Sequence, residues 1–518
     1  MSFGDQPPFS TENTVPPKQL QTSAIEKEVQ RCDDELFRLY TLVSQRETER
    51  RELQLNADKC ISILAPIRRL PNEMLSEIFA QCCKEADESV NFMNAPRTLN
   101  ALIISLVCSH WRRLAISTKS LWAVFSINPT TPSTFTLQCL RAYMSRAGDA
   151  PLTIQVLNTY RDTPARAGAF QCYRVLFDAA PRWRILGIGS IHFGQRLSHV
   201  KHHLQDLEGL SLNANCLLAA PTDIFADAPK LRILSVNVTP ELISHTFPYN
   251  QITNLSMYNQ CQHRFFINFL SKFPQVRNLE FEGNIDDFSK LETPKTDLVV
   301  QTLYIGNVEI IPLLIRAFTF LQLKSITLTC NDTAELPRFV RVHKQFLELL
   351  EQPLQGLNVL VLEEIEIGDQ EMIAILRLTP SLTELSIQTT DVDLAENMEN
   401  CKTLRKDFVR SLIFCPPIIQ SQRPSVPNLL PKLTSLDLGL NPSPNMHEAL
   451  VDMLTSRWHP RALASVHGRV SCLDCVILRH IVKPEHTTIV SQLQDRAGKE
   501  HHFRWLDSST LSLTRKRK

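Results

Sequence analysis

Two short stretches combine residue types able to do chemistry. Cys472-Leu-Asp-Cys475 has the spacing of a metal-ligand pair, with His467 and His480 nearby in sequence. A structural zinc site needs four placed ligands, and a second C-x-x-C is missing. The two thiols are instead expected to flank a buried strand, Cys475 to Leu478. Gly187-Ile-Gly189 followed by Gly194 is a poor phosphate loop, because it lacks the third-glycine spacing and falls on an expected strand rather than at a helix start. G-x-S-x-G, H-E-x-x-H and the kinase set are all missing. No catalytic residue, metal site or cofactor is expected, and the chain reads as a binding protein rather than an enzyme.

The binding chemistry concentrates between Pro66 and Trp122. Leu70, Pro71, Met74, Leu75, Ile78 and Phe79 fall at helical spacing, and Leu102, Leu106, Val107, Trp111 and Leu114 do so again. A unit this small cannot bury both stripes by itself, so one face is expected to be sticky. Pro71 suits the first turn of a helix, and Asn72 and Glu73 place polarity near its positive end. A polar insert, Lys84 to Thr98, separates the two halves.

The spelling of this segment resembles the F-box. Leu70-Pro71, Glu73, Leu75, Ile78-Phe79, Val107-Cys108, Trp111-Arg112 and Leu121-Trp122 carry the resemblance, which covers about a tenth of the chain. The longer polar middle departs from the pattern and puts the continuity of the central helix in question. The resemblance implies docking to a Skp-type adaptor, and through it to a cullin–RING ubiquitin ligase. The adaptor contacts it implies are Leu70, Pro71, Leu75, Ile78, Phe79, Val107 and Trp111. A protein of this class needs no cysteine that carries ubiquitin; it holds a target near an enzyme, which is catalysis by proximity.

The second strong pattern is a repeat. The template L-x-x-L-x-L recurs ten times, from Trp183/Leu186/Ile188 to Leu433/Leu436/Leu438, at intervals of 24, 24, 21, 24, 24, 23, 34, 25 and 51 residues. Most intervals fall in the leucine-rich-repeat period of roughly 20–29 residues. The interval of 34 suggests an insertion near Asn331 to Arg341, and that of 51 a degenerate copy between Cys401 and Pro427. Asn215, Asn284, Asn331 and Asn441 fit the template's ninth position. Pro181, Pro229, Pro274, Pro380 and Pro431 stand where a helix must stop and a strand begin. The pattern resembles irregular leucine-rich repeats, and the combination with an F-box resembles the large F-box families of mushroom-forming fungi.

The resemblance implies an α/β solenoid, a leucine-rich-repeat horseshoe, preceded by an all-α F-box and an amphipathic helix. The fixed apolar residues then point inward and the residues between them face outward on a concave sheet. Tyr258, Glu280, Glu282, Tyr304, Glu363, Glu384 and Asp437 are the candidate substrate-binding residues on that face. It carries five carboxylates, suited to a basic or neutral polar segment; equally, these groups are solvated or paired with Arg232, Arg277 and Lys324.

Bulk properties bound the rest. The 518 residues include 55 basic and 54 acidic ones, a net charge of +1, which argues against a nucleic-acid partner. No signal peptide begins the sequence and no apolar run reaches 18 residues, so no membrane span is expected. The 14 cysteines then read as free thiols in a reducing compartment, cytoplasmic and/or nuclear. The tail Arg515-Lys-Arg-Lys518 reads as a solubilising end or an import patch.

Six segments are expected: a disordered tail 1–22, a helix 23–64, the F-box-like unit 65–128, a linker helix and first strand 129–180, the repeats 181–480, and a cap with a basic tail 481–518. In the first helix, Ile25, Val29, Cys32, Leu36, Leu39 and Val43 form a heptad seam. Arg46 and Arg50 occupy its next positions, and Leu53, Ala57, Cys60 and Leu64 resume it. The seam suits either a dimeric coiled coil or a helix folded against its own chain. The two arginines favour the second. The expected partners are thus the adaptor with its ligase and an unidentified protein target; the alternative is a non-catalytic scaffold outside any ligase.

Overall fold

The computed structural model describes residues 19–84, 100–127, 134–157, 167–213, 216–217, 220–258, 263–283, 295–329, 339–351, 356–363, 365, 367–388, 406–414, 428–439, 444–458, 471–480 and 502–507. Of the expected disordered tail 1–22, the part up to Lys18 lies outside them, as do nearly all of the Lys84–Thr98 insert, the four ninth-position asparagines and the basic C-terminus; Gln19–Thr22 are helical. The chain divides into two units, Met1–Glu77 and Ile78–Lys518.

In the first unit, helix α1 runs from Gln19 to Leu64 over 46 residues. It contains no glycine or proline, and i,i+3 and i,i+4 pairs lace its surface. Arg31 meets Glu28 at 2.7 Å, Arg46 meets Glu49 at 2.7 Å, and Gln30 and Gln54 donate to Asp34 and Asp58 at 3.0 Å. Every described side chain from Ile25 to Ile61 is exposed, the heptad seam included. The expectation of an apolar face folded against the chain's own core is not met within this unit. A 3-10 turn, Pro66–Arg69, then leads to α2 (Asn72–Lys84). Pro71 stands just outside that helix, where its carbonyl accepts the Leu75 amide at 3.1 Å.

The second unit takes in the end of α2 from Ile78 and continues with two short helices, α3 (Asn100–Val107) and α4 (Ser109–Ser117). Among the described residues its main body is a sheet of 14 strands, every neighbouring pair parallel. In sheet order these are β1 (Val124–Ile127), β2 (Leu152–Val156), β3 (Trp183–Ile188), β4 (Gly209–Leu212), β5 (Ile233–Asn237), β6 (Asn254–Tyr258) and β7 (Asn278–Glu282). The order continues through β9 (Thr302–Ile305), β11 (Ser325–Thr329), β12 (Val359–Glu363), β13 (Glu384–Gln388), β14 (Ser435–Gly439), β15 (Cys475–His480) and β16 (His502–Asp507). Between them, β8 (Thr296–Leu298) and β10 (Phe318–Phe320) form a separate parallel pair. Parallel neighbours require crossovers, and helices such as His263–Leu270, Asp369–Leu378 and Pro444–Trp458 supply them.

All ten template copies place their second and third apolar residues on these strands. The register aligns Leu186, Leu210, Leu234, Leu255, Leu279, Leu303, Ile326, Leu360, Leu385 and Leu436 into one buried row. A second row, two residues on, runs from Ile188 to Leu438 and is buried too. The period-two alternation within strands and the 24-residue period between them therefore describe one packed, large parallel α/β arrangement. Pro274 and Pro380 each lie between a helix end and the next strand, and Pro181 lies in the 3-10 turn Ala180–Arg182 that leads into β3.

Three boundaries differ from expectation. The sheet begins at Val124, inside the segment assigned to the F-box-like unit, so Leu152–Val156, expected as the first strand, is its second. It also extends past residue 480 to Asp507, into the assigned cap. Finally, β13 pairs directly with β14, Glu384 opposite Ser435, so the ladder leaves no place between them for a degenerate copy. The described part of that stretch holds a helix, Lys406–Ser411.

A buried arginine ties the helix Pro444–Trp458 to the chain that precedes β14. Arg457 is 1% exposed and donates from Nε to the Leu412 carbonyl at 2.7 Å, and from its two terminal nitrogens to Leu430 and Leu429 at 3.0 and 2.7 Å. Burial lowers its pKa to about 10, so it keeps its charge at neutral pH. Gly194 has a packing role rather than a phosphate-binding one, since a Cβ there would run into the Cys216 carbonyl.

Candidate binding surfaces

The first surface grows from the short helices of the second unit. Residues Asn100–Val107 read N-A-L-I-I-S-L-V, apolar all round. Ala101, Ile104 and Ser105 face inward; Ile103, Leu106 and Val107 do not. Leu106 is 64% exposed and Val107 59% exposed, unusual for large aliphatic side chains that adjoin one another. Ile78, on α2, is 38% exposed.

The chain turns sharply after Val107. Cys108 is fully extended, with φ −158° and ψ 170°, and its Sγ accepts the Trp111 amide at 3.4 Å as the N-cap of α4. Arg112 Nε fastens the turn by donating to the Ser105 carbonyl at 3.0 Å. The apolar run from Leu102 to Leu114 is therefore split between two helices and is not one continuous stripe, as its spacing suggested. The turn is what leaves Leu106 and Val107 outside.

Aromatic packing holds this surface in place. Phe79 is 1% exposed and packs on Trp111 with ring centroids 4.8 Å apart. Trp122 is wholly buried, donates to the Ala115 carbonyl at 2.7 Å and lies edge-on to Tyr143 at 5.0 Å. The Arg146 guanidinium covers its ring at 4.2 Å. Across the undescribed insert, Asn100 Nδ2 donates to the Cys82 carbonyl at 2.7 Å, tying the end of α2 to the start of α3. Cys83 is buried, and desolvation, with Cys82 beside it, pushes its thiol up to about 11.

The seven residues expected to meet the adaptor thus divide. Leu75 and Phe79 are buried at 1% and act as core. Leu70 and Trp111 are half-buried, and Pro71 is exposed. Ile78 and Val107 offer their side chains to solvent. Leu106 and Ile103 belong with the exposed group but were not among the expected contacts. Their signal was in the sequence, since an eight-residue helix with apolar residues on every side cannot bury them all.

The second surface is the polar face of the sheet, its side chains mostly half-buried and Ser235 and Ser386 buried. The register aligns Ser211, Ser235, Ser256, Glu280, Tyr304, Thr327, Val361, Ser386 and Asp437 in one row between the two buried rows. Members of this row and its neighbours hydrogen-bond to one another. Ser211 meets Ser235 at 3.2 Å and Asn237 Nδ2 donates to Asn213 at 2.7 Å. The Glu280 carboxylate accepts from Ser256 at 2.5 Å and from the Tyr258 phenol at 3.3 Å. Tyr304 meets Thr329 at 3.1 Å, and Gln388 donates to Ser386 at 3.0 Å and to Asp437 at 3.4 Å. Burial, then the Glu280 charge, raises the Tyr258 pKa well above that of a free phenol.

The structure therefore brings Tyr258, Glu280 and Glu282 together, with Tyr304 next in the row. Glu363 faces Gln388 across the β12–β13 pair, while Asp437 meets Gln388 through its side chain. Glu384 stands at the strand's start and is exposed. No ion pair among the described residues includes Glu280, Arg232, Arg277 or Lys324, so the pairing anticipated for those cations is not what engages Glu280. The paired charges lie instead between Arg184 and Glu208, Lys201 and Asp223, and Lys230 and Asp206, at 2.9, 2.5 and 2.6 Å.

Cys475 opens β15 opposite Ser435, and both it and Cys472 are half-buried. Among the described residues no three of His, Cys, Asp and Glu gather as metal ligands, and no helix is long and apolar enough to cross a membrane. Compared with models of known protein families and with curated proteins, the chain matches none.

Proposed function

We propose that the chain is the substrate-receptor subunit of a Skp–cullin–F-box ubiquitin ligase. The helical module docks a Skp-type adaptor, and the sheet is the concave face of a leucine-rich-repeat solenoid that holds a protein target. The observation that carries this reading is the adjoining exposure of Ile103, Leu106 and Val107 on a rigid aromatic core. A side chain of this kind gains roughly 1.5–3 kcal/mol when a partner covers it, before association costs. The F-box spelling around Leu70-Pro71 and Trp111-Arg112 says which partner.

On this reading Ile78, Leu106 and Val107 touch the adaptor, and the packed rings of Phe79 and Trp111 hold them in place. The sheet's row of hydroxyls, amides and carboxylates suits polar recognition, and the carboxylates favour a basic or neutral polar segment. The chain supplies no chemistry itself and works by positioning the target.

The test is capture of a purified Skp-type adaptor by the full-length chain, wild type against a Leu106→Glu/Val107→Glu variant. Wild type is expected to bind and the variant to lose binding by at least about 100-fold, or ~2.7 kcal/mol. Equal binding by both chains contradicts the docking face, and no binding by wild type contradicts the receptor reading. Adaptor binding that never brings a cullin with it favours a scaffold outside the ligase.

A further inference from the structure

The heptad seam of α1 is exposed along its length, with Leu53 at 70% and Val29 at 54%. We propose that a second copy of this chain covers it, and that the two helices run antiparallel. This inference is independent of the adaptor reading.

The direction follows from the residues that break the seam. Ile25, Val29, Cys32, Leu36, Leu39 and Val43, then Leu53, Ala57, Cys60 and Leu64, keep steps of four and three on either side of Arg46 and Arg50 through more than five heptads, enough for a two-stranded coiled coil. A parallel, in-register pair stacks Arg46 on Arg46 and Arg50 on Arg50 in consecutive core layers. It also sets Glu28 of one helix against Asp33 of the other in the flanking positions. Like charges thus meet in the core and at its edge.

Reversing one helix removes each of these conflicts in a single register that uses the whole described seam. Val29 then faces Cys60, Cys32 faces Ala57, Leu36 faces Leu53, Leu39 faces Arg50 and Val43 faces Arg46. Each arginine lays its aliphatic stem on a Leu or Val and carries its charge outward. Arg46 is already directed to Glu49 of its own helix at 2.7 Å, so its charge is met off the seam. The flanking pairs become Asp33 with Gln54, Glu35 with Asn56, Tyr40 with Glu47 and Leu42 with Glu49, none of them like-charged. The twofold axis falls between Ser44 and Gln45, which puts the four seam arginines at the centre of the pair.

Native lysines report the direction. Lys27 and Lys59 lie near opposite ends of α1, about 48 Å apart along one helix at 1.5 Å per residue. That distance is beyond a short amine cross-linker within one chain, but an antiparallel pair brings Lys27 of one copy beside Lys59 of the other. Full-length chain, mixed from isotopically labelled and unlabelled material, is treated with such a cross-linker and mapped by mass spectrometry, with the mass in solution measured alongside. The expected result is the mass of two chains and Lys27–Lys59 links joining labelled to unlabelled chains. A Leu36→Glu/Leu53→Glu variant is expected to have the mass of one chain and to lose those links. The mass of one chain for wild type, links only between like lysines, or a dimer untouched by the variant would each overturn the proposal.

Discussion

The helical module and the sheet solve opposite problems with the same residue classes. In the sheet the repeat strands bury two aliphatic rows and set mostly hydroxyls, amides and carboxylates between them, several of which bond to one another. In the module α3 is apolar on every side, and a sharp turn at Cys108 leaves Leu106 and Val107 in solvent. A repeated unit stacks on its neighbours and needs no outside partner for its apolar side, whereas a pair of short helices has no neighbour to cover the second face. The contrast separates a surface suited to polar recognition from one suited to burial.

The largest expected effects concern what holds each region up. Arg457→Met leaves the carbonyls of Leu412, Leu429 and Leu430 without their buried donor. A loss of about 3–5 kcal/mol of stability is expected, read by denaturant unfolding. Phe79→Ala removes the ring that packs on Trp111. It is expected to cost about 3–5 kcal/mol as a core truncation, and so serves as a test of folding rather than of the interface. A neutral midpoint shift for either variant would remove that residue from the core.

The exposed positions should behave in the reverse manner. Leu106→Glu with Val107→Glu is expected to change stability by no more than about 0.5 kcal/mol per site while removing adaptor capture. In the sheet, Glu280→Gln keeps the shape of the side chain but weakens the bonds from Ser256 and Tyr258. An effect of about 1 kcal/mol on stability is expected, with adaptor capture unchanged. Loss of adaptor capture in that variant would couple two surfaces held here to be separate.

The smallest effect is a pH dependence. The Cys83 thiol, raised from 9.0 to about 11 by burial, is neutral in the fold where an unfolded thiol has ionised. Its contribution is fully present below pH 9 and is lost as pH rises toward 11. Cys83→Ala should flatten the stability profile across that window. Thiol labelling near neutral pH should modify the exposed Cys82 well before Cys83.

The sequence carried the sheet more fully than the module. The spacing of Leu207, Leu231, Ile252 and their successors located ten strands and their inward rows, because burial on one face imposes period two and stacking imposes a fixed step. β16, His502–Asp507, and the pair Thr296–Leu298 with Phe318–Phe320 escaped notice, since each lies off the template. In the module the helical spacing of Leu75 and Phe79 was legible, but not whether that face met a partner or the chain's own core. Periodicity marks an apolar side without saying what covers it. The break at Cys108 was not legible either, because a cysteine side chain is an uncommon helix cap.

The most direct measurement is the affinity of a purified Skp-type adaptor for the full-length chain, beside Leu106→Glu/Val107→Glu and Glu280→Gln variants, with folding checked by thermal melts. Tight binding by wild type and by Glu280→Gln, with at least about 100-fold loss in the double variant at an unchanged melting temperature, is the predicted outcome. Adaptor binding that survives Leu106→Glu/Val107→Glu, or none by the folded wild-type chain, would contradict it.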